Sequence, residues 1–88
     1  MSTVLRLGPY RFYFAEGEPD EPPHIHVQRD RDKAKLWLDR PPAEGGPVAV
    51  AWNRRFPDPE LRRVARLVTK NRDALLHAWN TRPGPGDA

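Results

Sequence analysis

Residues 24–39 read HIHVQRDRDKAKLWLD. Two runs that alternate apolar and polar side chains flank a charged, polar segment. Successive side chains of a strand point to opposite faces. HIHVQ (24–28) and AKLWLD (34–39) therefore read as the two arms of a hairpin, with RDRDK (29–33) as the turn between them. His24 and His26 then share one face, and Ile25 and Val27 share the other. Pro22 and Pro23 disfavour helix before His24 and fix where the strand begins.

Upstream, TVLRL (3–7) and YRFYF (10–14) also alternate, and Gly8-Pro9 interrupts them. This reads as two short strands joined by a tight turn, or as one kinked strand. EGEPDEPP (16–23) and RPPAEGGP (40–47) are rich in breakers and read as loops. VAVAW (48–52) is apolar and β-branched, which suits a short fifth strand or irregular structure before a helix. The helix is expected over 57–80, PDPELRRVARLVTKNRDALLHAWN. Asp58 suits the N-cap, Pro59 the first helical position and Glu60 the first turn. Leu61, Val64, Val68, Leu75 and Trp79 form one apolar stripe at helical spacing. Asn71 falls on that stripe, either as a break or as a polar residue in the seam. The periodicity runs through it and favours one long helix. The tail 81–88, TRPGPGDA, reads as disordered.

The expected fold is therefore α+β. An antiparallel, mostly meandering sheet of four to five short strands carries one long C-terminal helix packed on one face, in a single domain over 1–80. With 88 residues the chain is one domain at most, with a small core. It contains no cysteine, which excludes disulfides and thiolate metal sites and fits a reducing cytosol. The N-terminus has no signal-peptide pattern, and no apolar run approaches the ~20 residues that span a bilayer. A cytoplasmic location without a membrane partner is expected.

The charge is uneven. Residues 1–50 carry 7 basic and 8 acidic side chains, whereas residues 54–72 carry 7 basic (Arg54, Arg55, Arg62, Arg63, Arg66, Lys70, Arg72) against Asp58 and Glu60. Such a basic block either meets phosphate or an acidic protein, or is a solvated helix face.

Period-two alternation sorts the strand residues into two sets. Phe12, Phe14, Ile25, Val27, Leu36 and Leu38 are uniformly apolar and belong to the core beneath the helix. Arg11, Tyr13, His24, His26, Lys35 and Trp37 include no aliphatic residue and are aromatic or cationic in all three strands. Rings stack on bases and Arg and Lys meet phosphates. The same residue types dominate protein interfaces. The plain structural alternative is that Tyr13 and Trp37 pack under the 40–53 loop or against a second copy of the chain.

Four chemistries suit the histidine pair. Strand residues i and i+2 lie ~6.5 Å apart, so both rings can reach one metal ion, with Glu16, Glu21 or Asp39 as a third ligand. No HExxH or cysteine cluster supports this, and no metal or other cofactor is expected. As acid and base, the imidazoles with Tyr13, Arg11 and Lys35 have the parts for metal-independent, ribonuclease-like phosphodiester cleavage. One histidine would activate the ribose 2′-hydroxyl, a second group would protonate the leaving oxygen, and Arg or Lys would stabilise the phosphorane. The remaining two are recognition without bond breaking, and a structural role in which the rings cap backbone groups. His77, on the helix, reads as an ordinary surface or packing residue.

STVLRLGPYRFYFAEGEPDEPPHIHV, AKLWLD, NRRF and ELRRVARLVTKNRDALLHAWN occur in that order. In this the chain resembles the DUF4160 family of small bacterial proteins of unknown function, over residues 2–80. Ala15 stands where that family often has an aromatic residue, and the 40–52 connector is longer and richer in Pro and Gly. The resemblance implies a small partner protein of the DUF2442 type from an adjacent gene, and a toxin–antitoxin-like module with an RNA or ribosome-linked target. It carries no established catalytic residue.

Two functions are therefore expected to compete. The leading one is a module component that acts on or binds RNA through the sheet face. His24, His26, Tyr13 and Arg11 would be its catalytic candidates, and Lys35, Trp37, Arg55, Arg62, Arg66 and Lys70 its binding residues. The other is a non-enzymatic protein-interaction module that docks a partner through the same face.

Overall fold

The computed structural model describes residues 2–15, 21–39 and 47–82. Five strands form one antiparallel meander: β1 (Ser2–Leu7), β2 (Tyr10–Phe14), β3 (His24–Arg29), β4 (Asp32–Trp37) and β5 (Val50–Arg54), in that spatial order. Two helices follow, α1 (Asp58–Lys70) and α2 (Arg72–Thr81). The α+β class and the meander agree with the sequence reading, and the strand count is five. The loop segments 16–20 and 40–46 and the tail residues 83–88 lie outside the described residues. Thr81, expected in the tail, closes α2.

Local chemistry sets the two tight hairpins. Gly8 sits at φ +57° and is followed by Pro9, with Leu7 paired to Tyr10 on either side. A positive φ at the first turn residue matches the twist of the flanking strands, and proline supplies the negative φ that follows. The second turn is tighter than RDRDK suggested. Arg29 pairs with Asp32, and only Asp30 and Arg31 lie between them. Asp30 takes φ +54°, a conformation that aspartate tolerates better than most residues. β3 and β4 extend toward the turn because the charged residues there continue the ladder.

All six residues assigned to the core face are buried: Phe12, Ile25, Val27, Leu36 and Leu38 at 0 % exposure and Phe14 at 7 %. Val64, Ala65 and Val68 of α1 and Leu75 and Trp79 of α2 close over them. Leu61, expected in the stripe, is only half-buried.

The single long helix is not observed. Asn71 interrupts it at φ −105°, ψ 14°, leaving helices of 13 and 10 residues. The Asn71 side chain donates to the Leu67 carbonyl at 2.8 Å, and its backbone N–H is shared between Leu67 and Val68. A short amide side chain thus competes with the helix for its own carbonyl. The Leu75 N–H still donates to the Asn71 carbonyl at 3.0 Å, so the ladder resumes at once. The apolar period survives the break because both helices pack on one core. The start of α1 also differs by one residue. Pro57 is the cap, Asp58 begins the helix without a side-chain capping bond, and the Leu61 N–H donates to the Pro57 carbonyl.

A polar lock joins sheet to helix. The buried Tyr10 hydroxyl donates to Glu60 Oε2 at 2.8 Å, and Arg29 pairs with the same oxygen. The Tyr10 hydroxyl, and after it Arg29, hold the Glu60 carboxyl below its ordinary range. Burial, then the bond to Glu60, push the Tyr10 phenol up. Because the folded-state Glu60 pKa is depressed, its contribution is complete above the ordinary glutamate pKa of about 4.3 and is lost as pH falls through the folded value. Glu60→Gln is therefore expected to lower the urea midpoint at pH 7 and to shrink the loss of stability on acidification below pH 5. At Gly8 an added Cβ would meet nothing within 4 Å, so the strain is conformational alone. Gly8→Ala is expected to cost about 1–2 kcal/mol in urea denaturation at any pH.

Candidate functional site

The ladder register extends the sequence pattern into rows that cross the whole sheet. On the face away from the helices, one row reads Thr3–Tyr13–His26–Lys35–Trp52, each residue paired to the next across adjacent strands. The next row reads Arg6–Arg11–Gln28–Lys33–Arg54. His24 and Trp37 form a pair on the other flank of the first row. With strands ~4.8 Å apart, each five-strand row spans ~19 Å, and neighbouring rows are ~6.7 Å apart.

The aromatic row is tightly built. Tyr13 stacks on His26 with centroids 5.2 Å apart and planes 19° from parallel. His24 meets His26 edge-on at 5.3 Å, and Trp52 lies 5.8 Å from His26. Lys35 Nζ lies 5.2 Å from the Trp37 ring centroid and 2.6 Å from Glu21 Oε1. His24 Nδ1 is 2.9 Å from the Pro22 carbonyl oxygen, which can only accept, so Nδ1 carries a proton. The prolines before the strand thus orient the first imidazole as well as starting the strand.

Exposure separates this face into a floor and a rim. His24, Tyr13, His26 and Lys35 are 1–6 % exposed. Trp37, Arg11, Gln28 and Lys33 are half-buried, and Arg6, Trp52 and Arg54 are exposed. Arg11 donates to Gln28 Oε1 at 2.8 Å and lies 4.5 Å over the Tyr13 ring, while Arg54 lies 5.5 Å from the Trp52 ring.

The structure thus brings together Arg11, Tyr13, His24, His26, Lys35 and Trp37. It does not bring Arg55, Arg62, Arg66 and Lys70 to them. α1 packs on the opposite side of the sheet, so the exposed Arg62, Arg66 and Lys70 lie on the other surface. Arg55 follows β5 at φ +83°, with Asp32 3.9 Å away. Glu21, one of the metal-ligand candidates, is instead the partner of Lys35; Glu16 lies outside the described residues. Among the described residues, no group of three or more His, Cys, Asp or Glu side chains is placed to hold a metal ion.

Four rim residues were not assigned to this face from the sequence. Arg6 and Lys33 were legible, since each continues the alternation of a recognised strand. Trp52 and Arg54 were not. The register slips between Lys35 and Leu36, leaving Ala51 as an extra residue in β5, and such a bulge breaks the period-two signal. Trp79, read only as core, meets both Phe14 at 5.3 Å and His24 at 4.9 Å. It closes the end of the sheet where β2 stops and β3 starts.

The family model for a domain of unknown function, DUF4160, matches residues 10–80. The chain belongs to the DUF4160 family. No curated protein and no solved structure matches it. In this DUF4160 chain the matched residues include β2 to β5 and nearly all of both helices, and so most of both rows. None of its described helices is long and apolar enough to cross a membrane.

The floor of the DUF4160 face joins a nearly buried ammonium to a carboxylate that is 36 % exposed. Glu21→Gln is expected to cost about 1–2 kcal/mol, since a charge-assisted bond to a desolvated ammonium is weakened. Adding Lys35→Met, which keeps the stem and removes the charge, is expected to recover most of that loss. A double-mutant cycle by urea denaturation checks both.

Proposed function

We propose that this chain binds single-stranded RNA through the polar face of its sheet, without cleaving it, as a cytoplasmic component of a toxin–antitoxin-like module. The observation that carries the reading is the cationic row. Arg6 opposes Arg11 and Lys33 opposes Arg54 directly across strands. Like charges in that relation destabilise a sheet. No Asp or Glu occupies either this row or the row beside it. A polyanion laid along the row turns the unfavourable arrangement into a binding one. Trp52, exposed at the end of the adjacent row, adds a stacking surface.

The binding reading is preferred over cleavage because a general base must reach the proton that it removes. His24 and His26 are 1 % and 6 % exposed and are packed among Tyr13, Trp37, Trp52 and Trp79. They support the rim and do not meet substrate. The competing reading, a protein-interaction module on the same face, draws on exposed Trp52 and Arg54, residue types that anchor interfaces.

Fluorescence-anisotropy titration with a labelled single-stranded RNA at several salt concentrations separates these. Affinity is expected to fall with salt, and Arg11→Gln or Lys33→Gln is expected to reduce the slope of log K against log salt by about 0.7 each. Arg62→Gln and Arg66→Gln, on the other surface, are expected to leave the slope unchanged. The RNA is expected to keep its length on a denaturing gel. Absence of RNA binding at low salt would favour the protein partner.

A further inference from the structure

Resting on the RNA-binding reading, we infer that the site takes a short single-stranded segment of about four nucleotides. It crosses the strands, and one unstacked base sits on Trp52. Three features of the rows lead there.

The first is the number of charges. The row holds four cations, Arg6, Arg11, Lys33 and Arg54, interrupted by Gln28. One phosphate per cation gives about four nucleotides, the lower end of what a small nucleic-acid-binding domain covers. The ~19 Å span of five strands sets the same limit, because β1 and β5 are the sheet edges.

The second is the single platform. Tyr13 and His26 are buried in the floor and Trp37 is half-buried beside Lys35. Trp52 is the exposed aromatic ring of this face, at 37 %. Arg54, the last cation of the row, has its guanidinium carbon over this ring, 5.5 Å from the centroid. A phosphate at Arg54 therefore brings its own nucleotide's base to Trp52. A ring is available to a base only when that base is unstacked, which a duplex does not supply without disruption.

The third is direction. The stacking ring is at the β5 end and, among the described residues, no exposed ring lies at the β1 end, where Thr3 ends the aromatic row. The bound segment is thus anchored by stacking at one end and held by charge along the rest. The site is asymmetric in a way that a mere basic patch is not.

The test uses the full chain and oligouridylates of two to ten nucleotides, with a 12-base-pair RNA duplex as comparison. Affinity is expected to rise at least tenfold from two to four nucleotides. Beyond four it should grow only in proportion to the number of overlapping sites. The salt slope should level at no steeper than about −2.8, four phosphates at 0.7 each. The duplex is expected to bind at least tenfold more weakly than the tetramer. Trp52→Leu should weaken the tetramer at least fivefold with an unchanged salt slope, whereas Arg54→Gln should weaken it and lower the slope. Circular dichroism confirms that both variants fold.

Three outcomes would overturn the inference while leaving RNA binding intact: affinity and slope that keep rising beyond six nucleotides, a duplex bound as tightly as the tetramer, or a Trp52→Leu variant that binds like the parent. No binding of any oligonucleotide at low salt would overturn the RNA-binding reading itself.

Discussion

The pairing of Ile25 with Leu36 and of Val27 with Ala34 governs this molecule. All four side chains are fully buried and lie directly opposite one another on β3 and β4. Strand side chains alternate with a period of two, so a slip of one residue would send His24, His26 and Lys35 into the core and the aliphatic groups out. These groups are buried in the native register too, but there Lys35 has Glu21 and His24 has the Pro22 carbonyl; among apolar side chains without such partners they would cost several kcal/mol each. The apolar face thus dictates the polar one, and the rows across the sheet follow from the same register.

The fold also sorts its charges. Glu60, bonded to both Tyr10 and Arg29, lies where sheet and helix meet, and Asp58 joins it in the first turn of α1. Cations prevail on the opposite face, where cross-strand like pairs weaken the sheet. The hydrophobic core and the Tyr10–Glu60–Arg29 lock offset that cost. A face that the fold tolerates and does not need is where a binding surface is expected. The buried histidines take a supporting part: Tyr13 and His26 stack into a floor that fixes where Trp52 and Arg11 stand.

Much of this was legible in the sequence because alternation is a local signal. Six core residues and six polar-face residues were separable from HIHV, YRFYF and AKLWL alone, and the structure keeps every one on its assigned face. The parts that were not legible depend on non-local contacts or on broken periods. The bulge at Ala51 hid Trp52 and Arg54. Asn71 marked a possible break as a polar residue within the apolar stripe, but the stripe stays in phase across it and so favoured one long helix. The link from Glu60 to Tyr10 and Arg29 joins residues 50 and 31 positions apart, which no window on the chain reveals. The ring that covers His24 is likewise Trp79, and Trp52 lies against His26, both far along the chain.

The central claim is that the sheet face, and not the basic helix, is the binding surface. Nuclear magnetic resonance of the isotope-labelled chain, titrated with a tetranucleotide of single-stranded RNA, tests it most directly. The account predicts shifts at the Trp52 indole, the Arg6, Arg11 and Arg54 side chains and the amides of Gln28 and Lys33, with Arg62, Arg66 and Lys70 unmoved. Shifts centred on α1, with the Trp52 indole unchanged, would contradict it.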